Sequence, residues 1–276
     1  MLFRSAKASS SSTRFAVGAP NADISSFTDS GKVYIYDVDL SFNITQDGTY
    51  LSASDKASGD KFGASIAIKS DATRIFVGAP SASYLSYTKP GKVYIFDSGS
   101  STGWVRQTIS GLSYLKANDR QDNDYFGSSI SVDSSGNRLV VGAPKADIST
   151  YTDAGKVYIF NSSSGGWTQE VINGYPFISA SDKAKSDNFG SSVEISADGN
   201  TIIVGSPSAD PTLADSGKVY IYVSGSNGWI EQKIYSNPFI SASDKVKSDN
   251  FGSSVSISSN GKRIRSEEHT SELQSH

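Results

Sequence analysis

Self-similarity at a period of about 63 residues constrains this chain more than any other feature. Phe-Gly recurs at Phe62-Gly63, Phe126-Gly127, Phe189-Gly190 and Phe251-Gly252, spacings of 64, 63 and 62 residues. Gly-Ala/Ser-Pro recurs from Gly18, Gly78, Gly142 and Gly205, and Gly-Lys-Val-Tyr-Ile-aromatic from Gly31, Gly91, Gly155 and Gly217. A Trp after a Gly/Ser loop marks three repeats, at Trp104, Trp167 and Trp229; the first repeat has none.

Each period predicts four short strands. The first follows Phe-Gly ("SISV"), the second is "RLVVGAP", the third "GKVYIF", and the fourth begins at Trp ("WTQEVI"). Asp198-Gly199 and Asn260-Gly261 are hairpin signals joining strands one and two. No segment has helical periodicity of useful length. Strands two and three are apolar on nearly every residue, as expected of a sheet covered on both faces. In strand one Ile130 and Val132 point one way, Ser129 and Ser131 the other. Ile66 and Ile68 against Ser65 and Ala67 repeat that split, as do Val255 and Ile257 against Ser254 and Ser256. A crowded inner strand, with both faces buried against copies of the same sheet, describes a propeller blade. Four strands per period fit a flat solenoid poorly. The expected fold is all-β: a β-propeller with four antiparallel strands per blade, about four blades of a larger ring.

The string "FGSSISVDSSGNRLVVGAP", followed by "GKVYIF", resembles the FG-GAP repeat, the unit of the integrin alpha-chain head and of many surface and secreted proteins. The resemblance covers residues 13–264, with several motifs in fixed order. It implies that the Phe packs between blades and that the glycines allow close backbone approach at the narrow centre. The Pro would end strand two where a missing N–H costs no ladder bond. An extracellular or cell-surface location is a further implication.

The ends depart from the repeat. By precedent "SSNGKRI" should lead into an apolar strand, yet the chain continues "RSEEHTSELQSH". That tail is similar to an in-frame translation of a common sequencing-library adapter, and Met1-Leu2-Phe3-Arg4-Ser5 is similar to its reverse complement read as protein. Residues 1–5 and 265–276 are therefore expected to be adapter-derived, leaving 6–264 as a partial propeller. That part has no His, Cys or Met, and its 23 basic and 25 acidic residues give a net charge of −2. No basic stripe suggests nucleic acid, and no apolar run could span a membrane. The lack of Cys excludes a disulfide scaffold without locating the protein.

Without His or Cys there is no imidazole base, thiolate or usual zinc site. Carboxylate pairs can hydrolyse glycosides, and one precedes each Phe-Gly: Asp55 and Asp60, Asp119 and Asp124, Asp182 and Asp187, Asp244 and Asp249. A pair stamped on every repeat reads instead as a turn fixed by side-chain to backbone hydrogen bonds. No catalytic residue and no cofactor is expected. Many FG-GAP members hold calcium in a D-x-D-x-D-G loop between strands one and two. Here those loops read "KSDATR", "DSSGNR", "SADGNT" and "SSNGKR", each with at most one carboxylate, and three with a cation, Arg74, Arg138 or Lys262. This departure removes the family's calcium site, and no metal site is expected. Asp119, Asp122 and Asp124 form a weaker candidate in which Arg120 competes with any cation. Glu194 stands in strand one where its siblings are Ala67, Ser131 and Ser256, and is expected to line the central channel.

The most variable segments join strands two and three: "NADISSFTDS", "SASYLSYTKP", "KADISTYTDA" and "SADPTLADS". In a blade they share a face with the turns before Phe-Gly, the face that binds ligands in integrins. Charged and aromatic residues on a rigid scaffold make a recognition surface. The ligand-face candidates are Asp23, Asp29, Tyr84, Lys89, Asp147, Asp153, Asp210 and Asp215. Phe27, Tyr87 and Tyr151 share one register and read as pins for their own loops; Tyr84 lies off that register and is the better contact. Asn43-Ile44-Thr45 and Asn161-Ser162-Ser163 match the N-glycosylation sequon, weak support for a secretory location. The resemblance thus implies a non-enzymatic recognition or adhesion module for a protein or glycan ligand. The alternative is the substrate platform of an extracellular hydrolase whose catalytic residues lie elsewhere. Calcium titration is expected to leave the melting temperature unchanged; a saturable rise at micromolar calcium would show that the turns hold the ion.

Overall fold

The computed structural model describes residues 5–8, 14–99, 103–226 and 228–267, and no helix occurs among them. The first sheet comprises β1 (Ser5–Ala8), β2 (Arg14–Ala19), β3 (Lys32–Val38) and β4 (Ile44–Gln46). In the second are β5 (Ser65–Ile68), β6 (Arg74–Ala79), β7 (Lys92–Gly99) and β8 (Gly103–Arg106). The third holds β9 (Ser129–Val132), β10 (Arg138–Ala143), β11 (Lys156–Ser163) and β12 (Gly166–Gln169). The fourth holds β13 (Ser192–Ile195), β14 (Thr201–Ser206), β15 (Lys218–Gly225) and β16 (Gly228–Glu231). Finally β17 (Ser254–Ile257) pairs with β18 (Ile264–Glu267). Every sheet is an antiparallel meander of consecutive strands. The first strands, β1, β5, β9, β13 and β17, pack on one another in chain order, and the Trp strands β8, β12 and β16 form the opposite edges. These are the blades of a β-propeller.

Three elements differ from the sequence expectation. Ser5, expected to be adapter-derived, belongs to the inner strand of the first blade, β1. The second strand of the last repeat runs on through 265–267, because a ladder needs only backbone N–H and C=O groups. There the Gly252 N–H donates to Ser266 Oγ, where the Gly190 N–H of a full repeat donates to the Gly205 carbonyl. The other end residues, 1–4 and 268–276, lie outside the described residues. Lastly, each Trp strand stops after four residues. A tight turn follows, closed by Ile109 and Leu112 in the second blade, and the chain then pairs again with strand three through Leu115 and Val93.

The apolar cores lie between blades. One joins Phe76, Val93 and Ile95 of the second blade to Leu139, Val141, Tyr158 and Phe160 of the third. The next joins Val140, Val157 and Ile159 of the third to Ile202, Val204, Tyr220 and Tyr222 of the fourth. Alternation along Val-Tyr-Ile-Phe therefore turns Tyr and Phe toward the preceding blade and Val and Ile toward the following one. Phe62, Phe126 and Phe189 of Phe-Gly are wholly buried in these cores. Phe126 meets Tyr158 and Phe160 edge-on at 5.5 and 5.8 Å. Each such side chain contributes roughly 1.5–3 kcal/mol of burial.

The three glycine motifs meet where the backbones of adjacent blades come closest. A Cβ on Gly142 would lie 2.1 Å from the Gly190 carbonyl oxygen of the next blade. One on Gly155, at φ 90°, would lie 2.1 Å from the Phe189 carbonyl oxygen. Ser65, Ser129 and Ser192, on the small-residue face of strand one, donate to the carbonyls of Gly127, Gly190 and Gly252 at 2.7, 2.8 and 2.6 Å.

Polar links span the same interfaces. Arg14, Arg74 and Arg138 bond Asp37, Asp97 and Asn161 at 2.6, 2.6 and 2.9 Å. They also stack on Trp104, Trp167 and Trp229 of the next blade at 5.5, 5.9 and 5.5 Å. In the fourth blade both members of the pair change, to Thr201 opposite Val223. Buried Lys92, Lys156 and Lys218 pair with Asp55, Asp119 and Asp182 at 2.7, 2.9 and 2.8 Å. The first aspartate of the first three pairs before Phe-Gly is thus an ion-pair partner. Only the second fixes the turn, Asp60, Asp124 and Asp187 accepting the N–H of Ala57, Gln121 and Ala184. Asp55 is desolvated, yet hydrogen bonds from Lys92 and Tyr94 outweigh burial and hold it below its ordinary value. Burial pushes Asp60 and Asp187 up, and Asp124 up to about 6.

Two tests follow from this packing. Gly142→Ala is expected to cost at least about 2 kcal/mol in urea unfolding. Gly165→Ala, whose nearest neighbour would lie at 3.8 Å, should stay within about 0.5 kcal/mol of the parent. For Asp124, folding raises the carboxyl from 3.8 to about 6, so the folded state keeps a proton that the unfolded state releases. The destabilisation is full above that upper value and vanishes below the lower one. Asp124→Asn, which retains an oxygen for the Gln121 N–H, should stabilise by roughly 2 kcal/mol at neutral pH and by nothing below the unfolded value. An equal gain at both pH values would refute the assignment.

Candidate recognition face

In an antiparallel meander the loops between strands two and three share one end of the blade with the links into the next blade. Here each loop is sewn to the following link by three backbone bonds. Gly59, Lys61 and Phe62 donate to Thr28, Asp29 and Ser30, and Asn123, Tyr125 and Phe126 to Thr88, Lys89 and Pro90. Ser186, Asn188 and Phe189 donate to Thr152, Asp153 and Ala154, and Ser248, Asn250 and Phe251 to Ala214, Asp215 and Ser216. The loops are therefore continuous with the blade stack.

The eight candidate residues divide by position. Asp23, Asp147 and Asp210 turn a carboxylate oxygen inward, accepting the N–H of Asp29, Asp153 and Asp215 at 2.8, 2.8 and 2.6 Å. In the second loop Ser83 Oγ does the same for Lys89 at 3.3 Å. Asp29, Lys89, Asp153 and Asp215 occupy one repeated position with φ between 51° and 53°. Asp29 pairs with Lys61 at 3.0 Å and Asp153 with Lys145 at 3.4 Å. Tyr84 occupies the inward register of Ile24 and Ile148, half-buried, with its ring edge on Tyr114 at 5.9 Å. Phe27, Tyr87 and Tyr151, across the same small hairpins, are the partly exposed members.

The second loop and its link differ most from the others. Arg120 replaces Lys56, Lys183 and Lys245 of the sister links, and Lys116 replaces Ser52, Ser179 and Ser241. The Arg120 guanidinium lies between two rings, 4.6 Å from Tyr84 and 5.1 Å from Tyr87, and Lys116 Nζ is 5.5 Å from Tyr84. Burial, and then the Arg120 charge, lower the Lys116 ammonium. Burial first, and then Asp55, pushes the Tyr114 hydroxyl up to about 12. Leu85 at the hairpin tip is exposed. Beside Lys116 opens an inter-blade groove of about 310 Å³, lined by Tyr114, Asn118, Trp167 and Gln169 among others. Residue-by-residue comparison of the four links carries the signal for Arg120 and Lys116, which reading the acidic run as a metal candidate passes over.

The other singled-out residues have bonds of their own. Asp122 accepts the Thr88 N–H, Asp119 holds Lys156, and Asp124 holds its own turn. Asp71, Asp133 and Asp198 accept N–H groups of their own hairpin turns, of Thr73, Asn137 and Asn200 respectively. Among the described residues no group of three or more His, Cys, Asp or Glu is placed to hold a metal ion. Glu194 lines a cavity of about 280 Å³ between the inner strands and accepts the Ile257 N–H at 2.9 Å. Ser131 one blade earlier does the same for Ile195 at 3.2 Å. Among the described residues no helix is long and apolar enough to cross a membrane.

A search of curated proteins finds no match to the chain. The family model described as FG-GAP repeat matches residues 47–96, 112–160 and 176–222, together just over half of the sequence. Each matched span begins at the outer edge of one blade and ends in the third strand of the next, taking in Phe-Gly, Gly-Ala/Ser-Pro and Gly-Lys-Val-Tyr. By these three matches and the blades they build, the chain belongs to the FG-GAP repeat family.

Proposed function

We propose that the chain is a non-enzymatic recognition module, its ligand a protein or glycan outside or at the surface of the cell, held by the loops of one face. FG-GAP repeats are typical of extracellular proteins, which supports that location. The observation that carries the reading is the Tyr84, Tyr87, Lys116 and Arg120 cluster. Two cations are held side by side on aromatic rings, and their mutual repulsion favours an anion between them. The guanidinium is stacked in place, so its outer N–H groups engage a carboxylate or sulfate with little further ordering. Leu85 and the adjoining groove add apolar contact around that anchor.

Arrays of neutral, sialylated and sulfated oligosaccharides, and of acidic and basic peptides, test the reading on the purified chain. Acidic probes are expected to bind, and the double variant Lys116→Ala/Arg120→Ala to weaken them at least tenfold, about 1.4 kcal/mol. Lys69→Ala, in a turn at the opposite end of the blade, should leave binding unchanged. Equal losses in both variants, or binding indifferent to probe charge, would rule out this anchor.

A further inference from the structure

The turn between β3 and β4 is unlike its counterparts. In the later repeats this connection is built from Gly, Ser, Thr and Asn, whereas here it reads Asp39-Leu40-Ser41-Phe42-Asn43-Ile44. Leu40, Phe42 and Ile44 are 98%, 84% and 62% exposed, an apolar patch facing water. At its centre stands the sequon Asn43-Ile44-Thr45, exposed at all three positions. Asp39 fixes the turn: Oδ1 accepts the N–H of Ser41 and of Asn43 at 2.8 and 2.9 Å, and Oδ2 accepts Asn43 Nδ2 at 2.9 Å.

Asn161, of the second sequon, holds a different place. It sits within β11 where Asp37 and Asp97 sit in earlier blades, accepting Arg138 Nε at 2.9 Å and donating to Glu170 at 3.0 Å. Its amide is one member of the Arg-centred link between blades.

We infer that Asn43 is an N-glycosylation site whose glycan covers Leu40, Phe42 and Ile44, and that Asn161 stays unmodified in folded molecules. This rests on the extracellular reading above. The co-reactant is a polyprenyl-diphosphate-linked oligosaccharide. Asn43 Nδ2 attacks C1 of its first sugar, the N–C1 bond forms and the C1–O bond breaks. Polyprenyl diphosphate leaves with the electron pair, and one amide proton passes to the transferase's base. The amide N–H that remains still donates to Asp39, so the turn survives modification. At Asn161 the glycan would have to leave from between Arg138 and Glu170. The β3–β4 turn lies at the end of the blade opposite the recognition loops, so a glycan there leaves that face clear.

The test appends a secretory leader to the full chain in a eukaryotic host and maps glycans on material from both lumen and medium. One N-glycanase-sensitive chain at Asn43 is expected, lost in Asn43→Gln and in Thr45→Val and kept in Asn161→Gln. Thr45→Val leaves the Asn43 side chain and its bond to Asp39 in place, so loss of the glycan there is not a folding effect. Enzymatic removal should raise binding of a hydrophobic dye. An unmodified Asn43 in lumenal protein, a glycan on Asn161 in folded protein, or dye binding unmoved by glycan removal would overturn the inference. Because the leader forces entry, the two failures are distinct: an unmodified Asn43 in lumenal protein defeats this inference alone, whereas a parent protein found in the cytosol defeats the location reading and, with it, modification of the native protein.

Discussion

Everything in this molecule depends on how close one backbone comes to the next at the glycine junction. Gly142 rests against the Gly190 carbonyl and Gly155 against the Phe189 carbonyl, with room for hydrogen atoms only. That approach brings Phe126 and Phe189 into the cores between blades and sets the reach of the Ser129 and Ser192 hydroxyls. The motif glycines are therefore spacers of zero width. Widening the junction would open every contact farther out along the same interface at once, because protein cores tolerate gaps poorly.

From that junction outward the interface changes chemistry. Apolar rings fill its middle, buried Lys–Asp pairs close it near the loops between strands two and three, and Arg–Trp stacks close it toward the opposite end. The polar pairs add little stability of their own once desolvation is counted. They fix register, since each charged group meets set partners on neighbouring segments, as Asp55 meets Lys92 and Tyr94. The loops between strands two and three inherit that rigidity through their three backbone bonds to the next link. Side chains on them vary in identity from blade to blade while their positions hold.

The fold was legible because the same solution is written several times. Phe126 read once is a hydrophobic residue; read in four registers it marks a junction. The alternation in strand one likewise announced two unlike neighbours for one strand. Ion pairs such as Lys92 with Asp55 stayed hidden because the partners are 37 residues apart with β5 and β6 between them, and recurrence of each residue does not show that the two meet. The face was legible as a set of loops but not as a set of side chains. Its off-register position marks Tyr84 as the better contact, and the two-residue hairpin, with Leu85 at φ 52°, sets its ring against Tyr114. Local turn conformation, which a composition-based reading of loops does not resolve, decided that orientation.

The unlike faces of each blade have a consequence for how such a gene can change. Tyr158 and Phe160 look back and Val157 and Ile159 look forward, so the stack has a direction, and its contacts are heterologous. A blade can follow any other blade but cannot be reversed. Unequal recombination that inserts or deletes one whole period in frame keeps every junction matched, aromatic to aliphatic, whichever copy is gained or lost. An insertion that ends partway through a blade leaves unmatched faces, whereas a change of a residue or so within a loop does not, as the spacings of 64, 63 and 62 show. The period is thus a unit of evolutionary change as well as of structure, and the loops of one face can diversify copy by copy while the stack beneath them stays the same.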